Sequence, residues 1–154
     1  MKIGDTMNNI EIRWLKAEDI EEVTHLVRDS FHDKSDAIPN GAIFLNDARS
    51  KGLVAVKGQE IVGFIWIDRQ EDIFLQKKRF HLEDICVKEN YRGMGIGKSL
   101  LTECARIAQK NDIDEITFTS SNYRIAAHAL YRKLGYTIKD TTVFIKDMKE
   151  YRND

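Results

Sequence analysis

Glu83-Asp84-Ile85-Cys86-Val87-Lys88-Glu89-Asn90-Tyr91-Arg92-Gly93-Met94-Gly95-Ile96-Gly97-Lys98-Ser99-Leu100-Leu101 is the stretch around which this chain is arranged. Ile85 and Val87 alternate with less apolar neighbours, the period of a half-buried strand. Gly93, Gly95 and Gly97 follow at every second position. Leu100, Leu101, Cys104, Ile107 and Ala108 then recur at helical spacing. A strand therefore runs into a glycine-rich turn that opens a helix.

Such a junction makes an anion site. The first N–H groups of a helix have no intrahelical partner, and the macrodipole places positive charge there. Glycines accept positive φ and let a ligand approach the backbone. Arg92 and Lys98 flank the loop with fixed charge. A phosphate or pyrophosphate is the natural guest. Two familiar phosphate loops fail on spacing. The pattern G-x-x-x-x-G-K-S/T would need glycine at position 92, which is Arg92. The pattern G-x-G-x-x-G, started at Gly93, puts its third glycine on Lys98.

What the loop resembles is the acyl-CoA-binding loop of the GCN5-related N-acetyltransferases. That pattern is Gln or Arg, two residues, Gly, one residue, then Gly or Ala, and Arg92, Gly95 and Gly97 fill it. The preceding Leu82-Glu83-Asp84-Ile85 is similar to the diamine acetyltransferase branch. A second segment carries the resemblance further. Ala127-His128-Ala129-Leu130-Tyr131-Arg132-Lys133-Leu134-Gly135-Tyr136 fits the family's A-x-x-L/F-Y-x-K/S-x-G-F/Y. The two segments stand in the family's order. The likeness is strongest from Arg79 to Met148 and extends more weakly from Ile10.

The resemblance implies a single α/β domain over residues 9–150, preceded by a loose segment at 1–8. Its sheet would be mixed and mostly antiparallel, with six to seven strands and about four helices, and its central strands would splay to admit acyl-CoA. Acetyl-CoA would be the co-substrate. Tyr131 would be the general acid for the departing thiolate, and Glu83 the base, directly or through water. The backbone of Ile85, Cys86 and Val87 would bind the pantetheine arm, with the Val87 N–H as oxyanion donor. Arg92 and the amides of Gly93, Met94, Gly95, Ile96, Gly97 and Lys98 would hold the diphosphate. Many members carry Asn seven residues before the tyrosine. Here that position is Arg124, and Asn122 lies two earlier, so these two are the candidates for the remaining CoA contact.

The chemistry sets matching demands. An amine of pKa near ~10 is mostly protonated at neutral pH and must lose a proton before it attacks a thioester. The tetrahedral oxygen needs donors, and the thiolate needs a proton. Between Lys16 and Asp36 stand Glu18, Asp19, Glu21, Glu22, Asp29, Asp33 and Asp36 against Lys16, Arg28 and Lys34. That is either a solvated helix face or a negative rim that attracts a cationic amine. With the diamine-like motif it favours a small cationic acceptor such as a polyamine, an aminoglycoside or an amino acid. A protein N-terminus or lysine is the enzymatic alternative. A non-catalytic acyl-CoA-binding module is the alternative of another class.

Composition bounds the remainder. The chain of 154 residues is 42% hydrophobic with a formal charge of −1, which gives no general affinity for nucleic acid. No apolar run approaches the ~18 residues of a membrane span, and the start lacks a signal peptide's apolar centre, so a cytoplasmic location is expected. Cys86 and Cys104 fall in apolar patterns and read as buried thiols rather than a disulfide. They lack C-x-x-C spacing, and His25, His32 and His81 form no ligand set, so no metal is expected. His128 reads as a helical histidine. Homodimers are common in the resembling family.

Along the chain, strands are expected at 9–15, 52–57, 61–68, 79–87 and 115–119. Helices are expected at about 17–31, 42–50, from the glycine loop to 110, and from Ser121 or Asn122 to Gly135. The 61–68 strand is apolar on both faces, which marks it as central, with Gly63 at a bulge or close contact. Arg69–Lys78 reads as a charged connection. Tyr136–Lys139 and Val143–Met148 read as a closing hairpin.

Overall fold

The computed structural model describes residues 9–41 and 45–151. The expectation for residues 1–8, and that for a helix over 42–50 at positions 42–44, lie outside them. The chain forms two compact units, Met1–Asn122 and Tyr123–Asp154.

The first unit is a five-stranded sheet in the order β1-β2-β3-β4-β5. β1 (Ile10–Trp14), β2 (Ser50–Lys57), β3 (Glu60–Asp72) and β4 (Lys77–Val87) run as an antiparallel meander. β5 (Glu115–Thr117) lies parallel to β4, so its connection must cross over, and α2 (Ile96–Lys110) supplies the crossover. α1 (Ile20–Phe31) joins β1 to the central strands and ends on His32 in the left-handed region, with φ 57°.

Adjacent residues of β3 point to opposite faces. Phe64 joins Leu15, Ile20, Val23, Leu26, Val54 and Cys86 in the core beneath α1. Gly63 faces α2 instead. A Cβ there would meet Leu100 Cδ1 at 2.9 Å and Ile96 Cγ2 at 3.0 Å. The missing side chain lets the first turns of α2 seat directly on the sheet. The extra residue of β3 at Val62, between the pairs Ala55–Gly63 and Val56–Ile61, forms a bulge beside it. Both readings of Gly63 therefore hold. Leu53, Val54, Val62, Ile65, Leu100, Leu101 and Cys104 are wholly buried. Both cysteines are buried outside any disulfide, and burial pushes the Cys104 thiol up to about 12.

Asp19 is buried and fixed between elements. Its carboxylate accepts from Arg13 at 2.7 and 2.9 Å and from the Lys16 N–H at 2.7 Å. Burial alone would raise its pKa, but Arg13 and the Lys16 amide more than offset that and hold it below the usual range. Glu22 accepts the Ile61 N–H at 2.8 Å. Two of the seven acids read as a rim are thus tied into the structure.

Several expectations are corrected. The sheet has five strands, not six to seven, and three α-helices are present among the described residues. Residues 136–147 carry no strand. A strand exists only through a neighbour's hydrogen bonds, and local alternation cannot supply that neighbour. Arg69–Lys78 is largely strand. Its alternation was masked by charge, because Glu71 stands opposite Lys78 and Asp72 opposite Lys77 as complementary cross-strand pairs. The last helix, α3 (Ile125–Lys133), starts later than Ser121 or Asn122 would place it. The Ile125 N–H donates to Tyr123 O at 2.9 Å, with Arg124 at φ −82°, ψ 62°. That inverse γ-turn delays the first helical turn.

Candidate active site

The glycine loop has the conformation its composition requires. Gly93 and Gly95 sit at φ +77° and +82°, and an added Cβ would meet nothing within 4 Å at either. Space is not what demands glycine there; the left-handed backbone is. The first helical hydrogen bond of α2 runs from Ser99 N to Gly95 O at 3.0 Å. The amides of Ile96, Gly97 and Lys98 come before it and have no acceptor within the helix. Ile96 anchors the helix start in the core, while Arg92, Gly93, Met94, Gly95 and Lys98 are exposed.

Immediately upstream, β4 loses a neighbour. Its ladder with β5 consists of Arg79–Glu115, Phe80–Ile116 and His81–Thr117 and stops there. Lys88 N donates across to Val62 O on β3 at 2.8 Å. Successive residues of a strand turn their backbone groups to opposite edges, so Val87 presents its N–H and C=O to the edge that β5 has left. The Val87 carbonyl accepts from Arg92 Nε at 3.0 Å, which places the Arg92 guanidinium along that edge.

A bulge aims the acids. The pairs Phe64–Cys86 and Trp66–Glu83 leave Asp84 and Ile85 opposite Ile65 alone. Asp84 takes the left-handed conformation, φ +54°. Asp is among the few non-glycine residues that tolerate it. A regular strand would turn Asp84 to the face opposite Glu83, and the bulge breaks that alternation. Glu83 shares the face of Trp66, Phe64 and Cys86. Asp84's carboxyl is held above the usual range, by desolvation first and then by the charges of Glu83 and Asp68. The residue as a whole keeps contact with solvent, which tempers that effect.

Two further residues meet the acids, and sequence reading had assigned neither. His81 stands on the last rung of the β4–β5 ladder. Its Nδ1 lies 3.1 Å from Thr117 Oγ1, and its Nε2 lies 3.7 Å from Glu83 Oε1. Asp68 is opposite His81 in register and accepts from Trp66 Nε1 at 3.0 Å and from Ser50 Oγ. The His81–Glu83 spacing of two on one strand was the only signal, and it gains meaning only once the strand is assigned.

Asn122 closes the first unit; Arg124 and Tyr131 belong to the second. Arg124 occupies the N-cap position of α3 without a side-chain capping bond, and its carbonyl accepts from His128 N. Within that unit the Tyr131 ring centroid lies 6.1 Å from His128 and 6.4 Å, edge-on, from Tyr136. Tyr131's carbonyl accepts from the N–H groups of Leu134 and Tyr136, and Gly135 at φ +87° turns the chain between them.

Residues 12–136 match the Acetyltransferase (GNAT) family. The chain belongs to that family. Among curated proteins it is 29% identical to human N-acetyltransferase 8B over 93 residues, 60% of this chain and 41% of that protein. It is 32% identical to L-ornithine N5-acetyltransferase NATA1 of Arabidopsis thaliana over 75 residues, 49% of this chain and 33% of that protein. The chain thus spans well under half the length of these relatives. An aminoglycoside acetyltransferase, meta-AAC0020, from an uncultured soil metagenomic sample superposes with a TM-score of 0.81. It is 22% identical and covers 93% of this chain and 98% of its own, which fixes the fold as GNAT-like. Among the described residues no helix is long and apolar enough to cross a membrane, and no group of three or more His, Cys, Asp or Glu could hold a metal ion.

Proposed function

We propose that this GNAT acetyltransferase moves the acetyl group of acetyl-CoA to the primary amine of a small cationic molecule, by direct attack in a ternary complex. One observation carries the reading: the β4–β5 ladder ends at His81–Thr117, so Val87 turns its N–H to the edge that β5 has left, just before a helix start whose Ile96, Gly97 and Lys98 amides have no acceptor within the helix. An extended pantetheine arm adds to such an edge as a strand would. The loop amides of residues 93–98, with Arg92, then take the diphosphate. Ile85 and Val87 line the arm, while the Cys86 side chain serves the core.

The amine gives its proton to Glu83, directly or through water, and its lone pair attacks the thioester carbonyl carbon. The Val87 N–H donates to the oxyanion. Collapse breaks the carbon–sulfur bond, the leaving thiolate takes the phenolic proton of Tyr131, and the phenolate takes the remaining extra proton from the nitrogen of the new amide. His81, held by Thr117, orients Glu83 in the way a third group orients a catalytic base. Glu83, Asp84 and Asp68 together give the acceptor side a negative field suited to an ammonium group. That a relative acetylates ornithine at N5, and a structural match acetylates aminoglycosides, supports a cationic acceptor.

Thiol release on a panel of amines tests the assignment. Turnover on polyamines, aminoglycosides or basic amino acids is expected. Turnover on peptides alone would reject the small-amine acceptor, and acetyl-CoA binding without any turnover would make the protein a CoA-binding module. Tyr131→Phe is expected to cut kcat by about 10²-fold with acetyl-CoA affinity retained. Unchanged turnover would remove Tyr131 as the acid.

A further inference from the structure

The glycine loop is exposed from Arg92 to Gly95, so its conformation depends on how its two ends are held. Its downstream end is Ile96, 3% exposed in the core. Its upstream end is Tyr91, and Tyr91 is tied to a different hairpin. The Glu60 carboxylate, at the first residue of β3, accepts from Tyr91 Oη at 2.7 Å through one oxygen and from Lys88 Nζ at 2.5 Å through the other. Lys57, opposite Glu60 across the Gly58–Gln59 turn, sets its ammonium 5.2 Å from the Tyr91 ring centroid. The neighbouring backbone is pinned as well: Ile61 N to Glu22, Lys88 N to Val62 O, Tyr91 N to Lys88 O.

We propose that Glu60 is a positioning residue for the anion loop, fixing through Tyr91 and Lys88 the point from which the loop amides project. The role rests on the loop's being the diphosphate site. Between Tyr91 and Ile96 lie only Arg92, Gly93, Met94 and Gly95, two of them glycines at positive φ. With one end loose, those residues would sample many conformations, and a ligand would have to order them on binding. Electrostatics alone argue against an acid here, since a carboxylate near a diphosphate repels it. Lys88 absorbs that charge, and the same bond, with Tyr91's, holds the Glu60 carboxyl below its usual range. A carboxylate kept ionised and already paired suits an anchor better than a ligand.

The two roles predict opposite signs. If Glu60 were merely a nearby charge, Glu60→Ala would tighten acetyl-CoA binding. As an anchor, Glu60→Ala and Tyr91→Phe should each weaken it by about fivefold, the worth of one charge-assisted hydrogen bond in a solvated site. The double variant should be no weaker than Glu60→Ala alone, because that change already removes the bond that Tyr91→Phe breaks. The kcat at saturating acetyl-CoA should not change. Amide hydrogen exchange at Tyr91 and Arg92, whose N–H groups donate to Lys88 O and Glu89 O, reads the brace in the ligand-free chain, and it should quicken in both variants. Unchanged exchange would overturn the anchor whatever the protein binds. Quickened exchange in the variants, with a wild-type chain that ignores acetyl-CoA, would keep the anchor and sink the diphosphate site instead.

Discussion

Asp84 is where β4 departs furthest from regular strand geometry, and the departure has a thermodynamic signature. Its carboxyl is raised in the folded chain by desolvation and by Glu83 and Asp68. A raised acid binds its proton more tightly when folded than when unfolded. The ionised form therefore opposes folding above the folded pKa. The penalty fades as pH falls through that value and is gone below the unfolded pKa of about 3.9. Asn accepts the left-handed backbone as Asp does, so Asp84→Asn isolates the charge. The variant should have a higher urea midpoint than the parent at pH 7 and the same midpoint at pH 3. A loss of stability at pH 7 would mean that the carboxylate is held by a favourable contact rather than by strain in its surroundings. The bulge itself is invisible in Leu82-Glu83-Asp84-Ile85, because a register shift is a relation between two strands.

At the scale of elements, the turn into α2 joins local chemistry to binding. Gly95 is the N-cap of that helix at φ +82°, in open space. Gly95→Ala would clash with nothing, yet it costs about 1–2 kcal/mol to hold an L-residue in the left-handed region. The chain can meet that cost by letting the loop relax away from its anion-binding conformation. Acetyl-CoA affinity should fall by about tenfold, with the far-ultraviolet circular dichroism and the core unchanged. Equal affinity would show that the loop's conformation is not what the ligand reads. The glycine spacing and the helical period that followed it were legible because both are local. Arg69–Lys78 was not legible as a ribbon, since Glu71–Lys78 and Asp72–Lys77 become meaningful only when paired across it.

For the whole molecule, binding and folding are linked. A ligand that binds only the folded chain stabilises it by RT ln(1 + [L]/Kd), about 2.7 kcal/mol at a concentration 100 times Kd. For a domain of this length that raises the melting temperature by roughly 5–10 °C. Acetyl-CoA should give such a shift, and adenosine lacking the diphosphate should not. Equal shifts from both would place the affinity in the base and ribose instead of in the loop amides.

The family, the strand–loop–helix junction, the doubly apolar β3 and the buried thiols were legible in the order of residues, because period, glycine position and residue order are properties of neighbouring residues. It took the folded chain to show that β4 bulges at Asp84, that β5 leaves it after His81, that His81 meets Thr117, and that Glu60 holds Tyr91. Each of these is a hydrogen bond or register between segments far apart in the chain. Such pairings are set by how sheet and helices close around one core, and no short window of residues contains them.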